Sequence, residues 1–123
     1  MALTLETAVR NAAADAIDAE IGTAGYLEFQ TGAQVEVATI TFQNPAFGSA
    51  AVGVITMAGQ PIQDTNATGN AGAVDAFQIF ASGAVLKITG TVATSGADIN
   101  MSSLIVGATD TVELTTFSID VPA

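Results

Sequence analysis

The chain has 123 residues, half of them hydrophobic and 11% charged, with twelve acids against two bases (Arg10 and Lys87) and a formal net charge of −10. That size fits one domain, and that charge excludes phosphate neutralisation on nucleic acid and attraction to an anionic membrane as binding modes. Cysteine, histidine and tryptophan are absent, which removes disulfides, thiolate metal sites, the commonest general base and the commonest transition-metal ligand.

Residues 4–21 carry the one convincing helical pattern. Leu5, Val9, Ala12, Ala16 and Ile17 recur at helical spacing, with Ala8 and Ala13 beside them. Thr4 is the expected N-cap, Glu6 suits the first turn, and Gly22 is the expected stop. The apolar face is narrow and rich in alanine, so the helix must lie close to whatever it covers. Asp15, Asp18 and Glu20 crowd its C-terminal half, where the helix dipole disfavours negative charge. They read as a solvated face, or as groups that meet basic residues on a partner.

After Gly25 the period changes to two. Residues 26–30 place Leu27 and Phe29 on one face, and residues 35–42 do the same with Ala38, Ile40 and Phe42. Further strands are expected over 52–57, 73–81, 85–92, 99–106 and 111–121, with valine and threonine most frequent in 52–57, 85–92 and 111–121. In 85–92, alternation puts Leu86, Ile88 and Val92 inward and Lys87, Thr89 and Thr91 outward. The last segment changes parity between Leu114 and Phe117, so a bulge or bend is expected near Thr115 and Thr116. The stretch TFQNPAFGSAAVGVITM, residues 41–57, reads as strand, Asn-Pro turn and bulged return strand. Gly, Pro, Asn and Ser clusters separate these segments. The expected fold is mainly β: an antiparallel β-sandwich or jelly roll over 23–123, preceded by one N-terminal α-helix or arm in 1–22.

The longest apolar run, Ala50–Ile55, is far short of the ~20 residues of a spanning helix. The N-terminal stretch carries acids and lacks a basic region before an apolar one, so a soluble domain without a secretory signal is expected. Asn66 and Asn100 fit the glycosylation acceptor pattern, which without a secretory context reads as coincidence.

The most site-like stretch is DTNATGNAGAVD. Asp64, Asn66 and Thr68, then Gly69 and Asp75, follow the ligand order of a calcium loop, because calcium needs several oxygens and a glycine lets the loop close. Asp75 stands where a bidentate glutamate is usual, Gly72 occupies the ninth position, and the flanks do not read as helical. Asx and glycine turns often produce such strings, so a polar surface loop is the preferred reading and no metal is expected. No GxSxG elbow, P-loop or GxGxxG is present. A Ser–Lys pair has only Lys87 to draw on, on an exposed strand face. The inventory reads as a non-catalytic building block or binding module without a cofactor. A carbohydrate- or calcium-binding sandwich is the competing class, but sugar sites usually want exposed aromatics and this chain has one tyrosine.

Three phrases bear a resemblance: LTLETAVRNAAADAIDAEIG, TFQNPAFGSAAVGVITM with QPI after it, and TGTVATSGADINM before a valine- and threonine-rich end. Together they resemble a group of small virion proteins of tailed bacteriophages and prophages, over nearly the whole chain. Where members of that group carry an aromatic residue after the TG-AG phrase, this chain has Val74 to Phe77. The resemblance implies a capsid decoration (cement) protein: a β-sandwich or jelly roll made in the host cytoplasm and placed on the virion's outer shell. It implies the major capsid protein and other copies of itself as partners, with no nucleic acid and no membrane. A head-fibre or tail component is the nearest alternative. Leu5, Val9, Asp15, Asp18 and Glu20 on the helix are the partner-binding candidates.

Overall fold

The computed structural model describes residues 3–69 and 72–122. Among the described residues the protein is mainly β, with 40% strand and 13% helix, and the one helix is N-terminal. Helix α1 spans Thr7–Ile21 and is followed by β1 (Tyr26–Thr31), β2 (Glu36–Thr41), β3 (Val54–Thr56), β4 (Ile62–Asp64) and β5 (Val74–Ala81). The chain continues through β6 (Val85–Ala93), β7 (Ile99–Asn100), β8 (Val112–Leu114) and β9 (Ser118–Asp120).

The main sheet has five strands in the order β2-β1-β5-β6-β7, antiparallel except for the β6–β7 pair. Period two sorts its faces. One cross-strand row reads Ile40, Leu27, Ile79, Ile88 and the next Ala38, Phe29, Phe77, Gly90. These rows are the core face, and Leu27, Phe29, Ile40 and Ile79 are fully buried. The other face carries a row of Thr41, Tyr26, Phe80 and Leu86, with Tyr26 and Phe80 stacked at 5.2 Å. Beside it lies a polar ladder in which Gln30 Nε2 donates to Glu28 Oε1 (3.0 Å) and Gln78 Oε1 (2.9 Å). Those bonds satisfy the amide nitrogen of a side chain that is itself buried.

Two short pairs, β3–β9 and β4–β8, fold over the core face and complete a sandwich. Phe117, just before β9, meets Phe77 edge-on at 5.7 Å and Phe47 at 6.1 Å, and Phe47 meets Phe42 at 5.6 Å. This chain of rings ties the second layer to the first. It also explains Gly90: a Cβ there would lie 2.3 Å from the Phe77 ring, so the ring occupies the space of its cross-strand neighbour's missing side chain. The strand order is that of a sandwich and does not establish a jelly roll.

Several sequence expectations need correction. Glu6, not Thr4, is the N-cap, and it makes no side-chain capping bond. The buried face of the helix is not the Leu5–Val9–Ala12–Ala16 stripe, whose four members are exposed. Ala14 and Ile21 are buried, and Ile17, the member of the expected stripe that does pack inward, is partly so; this face lies roughly 140° around the helix from the other four. Leu86 faces outward: the β5–β6 register slips at Lys87, so Ile79 pairs with Ile88 but Phe80 with Leu86. Of residues 52–57 only Val54–Thr56 is strand, and of 99–106 only Ile99–Asn100. The parity change after Leu114 is a full break: β8 pairs with β4 and β9 with β3, and Val112 and Leu114 are buried while Phe117 packs on the core.

Candidate interaction surface

The helix is rotated by the segment that follows the Asn-Pro turn. Residues 47–53 run along α1 in the opposite direction, and the helix supplies the hydrogen-bond acceptors that a neighbouring strand would otherwise offer. Phe47 N–H donates to Asp18 Oδ1 (3.2 Å), Ala50 N–H to Asp15 Oδ1 (2.9 Å) and Gly53 N–H to Asn11 Oδ1 (2.7 Å). Asn11, Asp15 and Asp18 stand at i, i+4 and i+7, one face of a helix. One residue N-terminal to Asn11, Arg10 Nε donates to the Val121 carbonyl (2.8 Å), and its guanidinium pairs with Asp120 at 3.4 Å. Gly53 sits directly beneath Arg10, with φ +76° and no room for a Cβ, which would lie 2.8 Å from Arg10 Nε. Alanine and glycine in 48–53 thus serve close approach of backbone to helix.

The five partner-binding candidates on the helix therefore divide. Asp15 and Asp18 are engaged within the chain as acceptors of backbone N–H groups. Glu20 pairs with Lys87 at 2.9 Å, across a shallow apolar groove lined by Ala16, Ile17, Ile21 and Ile88. Leu5 and Val9 face outward at 40% and 52% exposure, continuing from Leu3 at 82%. Sequence reading missed Arg10 and Asn11 as parts of the seam. Their signal was the polar stripe Arg10, Asn11, Asp15, Asp18 on a helix whose later partner segment is almost free of large side chains.

The calcium-like string is also tied up by the protein itself. Asp64 Oδ2 accepts from Thr39 N–H (2.9 Å) and Oδ1 from Asn66 N–H (3.0 Å). Thr68 donates its hydroxyl to Glu36 Oε1 (2.7 Å), whose other oxygen takes the Thr39 hydroxyl. Gly69 N–H donates to the Val37 carbonyl (2.9 Å), which ties this stretch to the edge strand β2. Asp75 is exposed on β5, beside Gly32. Among the described residues no group of three or more acids is placed to hold a metal ion, and no helix is long and apolar enough to cross a membrane.

A second surface lies where the sandwich is open. Between residues 98–106 and 110–118 is a cleft of about 760 Å³, within the range of ligand and peptide sites. Phe29, Ile99, Val112 and Leu114, all buried side chains, line its floor. Its acids have local partners: Asp98 accepts from Thr91 N–H (2.9 Å), Asp110 from Gly107 N–H (2.8 Å) and Glu113 from Gln63 (2.7 Å). Ile105 lies at the cleft and is 58% exposed.

Comparison with protein-family models, with curated proteins and with solved structures finds no match for this chain.

Proposed function

We propose that this chain is a non-catalytic shell component of a tailed-phage virion, a decoration protein that binds the outer surface of the major capsid protein and stabilises it. The observation that carries the reading is the resemblance of its three phrases to small virion proteins. The architecture supports it in one further respect. The first two phrases are the two sides of the helix–strap seam, residues 10–18 on one and 47–53 on the other. The third spans the end of β6, where Thr91 bonds Asp98, and β7.

The physics of such a role is consistent with the chain. Decoration requires a stable scaffold repeated many times at modest affinity per contact, with symmetry supplying avidity. A net charge of −10 keeps free copies and finished particles apart in dilute solution. The test is quantitative mass spectrometry of particles produced from the genome that encodes the chain. The reading predicts a copy number in simple ratio to the major capsid protein. A few copies per particle would assign the chain to a fibre or tail, and absence from particles would remove it from the virion altogether.

A further inference from the structure

We propose that the open cleft of the sandwich is a docking site for the N-terminal arm of a second copy, with residues 3–5 lying in it as an added strand. The proposal stands apart from the shell reading: it is tested on the isolated chain in solution, so the two fail separately.

The cleft has what an extended peptide needs. Its floor is apolar, and the stretches above it have left the sheet. The backbones of Ser102, Thr115 and Thr116 make no hydrogen bond with another described residue. A strand accepted there gains main-chain bonds from the walls and pockets for alternate side chains from the floor, the logic of β-augmentation. The polar residues Ser102, Thr115 and Thr116 are among those that line it.

The arm has what the cleft needs. Leu3, Thr4 and Leu5 precede the helix, and the chain enters the helix from extended backbone at Glu6 (φ −63°, ψ 152°). Period two puts Leu3 and Leu5 on one face with Thr4 on the other, matching an apolar floor under polar walls. Both leucines are exposed, and residues 3–5 hold no hydrogen bond within the described chain. Residues 3–5 also carry no charge, so they enter beside Asp98, Asp110 and Glu113 without adding like charge. The folded chain leaves its own arm in solvent, with Leu3 at 82% exposure, which makes a neighbour's cleft the place where it is buried.

The absence of native cysteine gives a clean test. Leu5→Cys and Thr116→Cys are made in separate chains, both at exposed positions. The two are mixed at high concentration under a glutathione redox buffer and resolved on non-reducing gels. The expected product is the mixed Leu5–Thr116 disulfide, at least about tenfold over a Ser82→Cys control, with the linked peptides identified by mass spectrometry. Dominance of a Leu5–Leu5 product would show helix-to-helix pairing and overturn the proposal. So would an intrachain bond in the double variant without cross-chain product, or linkage no greater than the control. In parallel, sedimentation of Leu3→Asp/Leu5→Asp is expected to show self-association weakened about tenfold or more. Unchanged association overturns the proposal as well.

Discussion

The helix–strap seam and the open cleft are two places where the chain leaves regular strand, and they solve the same problem in opposite ways. In both, backbone N–H and C=O groups lose their ladder partners, and each such group must find another or remain in water. Along 47–53 the helix supplies Asn11, Asp15 and Asp18 as acceptors, and the backbone is closed from within. Along 102–103 and 115–116 no side chain of the described residues supplies such an acceptor, and the backbone stays open above an apolar floor. Asp15 and Asp18 are structural for that reason, while Glu20 pairs with Lys87.

The contrast breaks most readily at Gly53. Gly53→Val meets Arg10 and the Val121 carbonyl and forces a side chain onto φ +76°. It should cost about 3 kcal/mol in urea unfolding; a loss within about 0.5 kcal/mol would mean that the strap is not held against the helix. Asn11→Ala should cost about 1–2 kcal/mol, because it strands the N–H of buried Gly53, while Asn11→Asp should restore most of it by restoring the acceptor. Asp15→Ala should cost less, about 0.5–1 kcal/mol, since the bond it removes is exposed to water. Ser102→Ala and Thr116→Ala in the cleft should change stability by less than about 0.5 kcal/mol. Amide hydrogen exchange sharpens the same contrast without mutation: the Gly53 amide should exchange with the protection of the core, and those of Ser102 and Thr116 within the fast, locally open class. Equal protection at the two places would remove the distinction. The smallest expected effect is ionic. Added salt should strengthen self-association, because it screens repulsion between chains of charge −10 over a Debye length of about 10 Å at 0.1 M.

Much of the fold was legible because period two is a strong local signal. It placed Leu27 and Phe29 on the core and found the parity change near Thr115, though as a bulge or bend within one strand rather than the break between β8 and β9. It failed where a distant contact decides. The helix was assigned the wrong buried face because hydrophobic spacing favoured Leu5, Val9, Ala12 and Ala16. Its rotation is set instead by backbone N–H groups more than twenty residues away, those of Phe47, Ala50 and Gly53, which donate to Asp18, Asp15 and Asn11. Leu86 was placed inward because a one-residue slip at Lys87 leaves no mark in composition. Residues 101–106 read as strand from their apolar content, yet after Asn100 the chain turns away through local bonds of Ser103 with Ile105. The oxygen-rich string 64–75 matched a ligand order, but spacing along a chain says nothing of what else competes for those oxygens, here Thr39, Asn66 and Glu36.

The central claim is that this is an assembly domain of a virion shell, and a cryo-EM map of the intact particle tests it most directly. The account predicts a mainly β density of this fold on the outer surface of the capsid, repeated with the shell lattice and contacting both the major capsid protein and neighbouring copies. A particle whose outer surface carries no such density, or one in which the chain is confined to the tail, would contradict it.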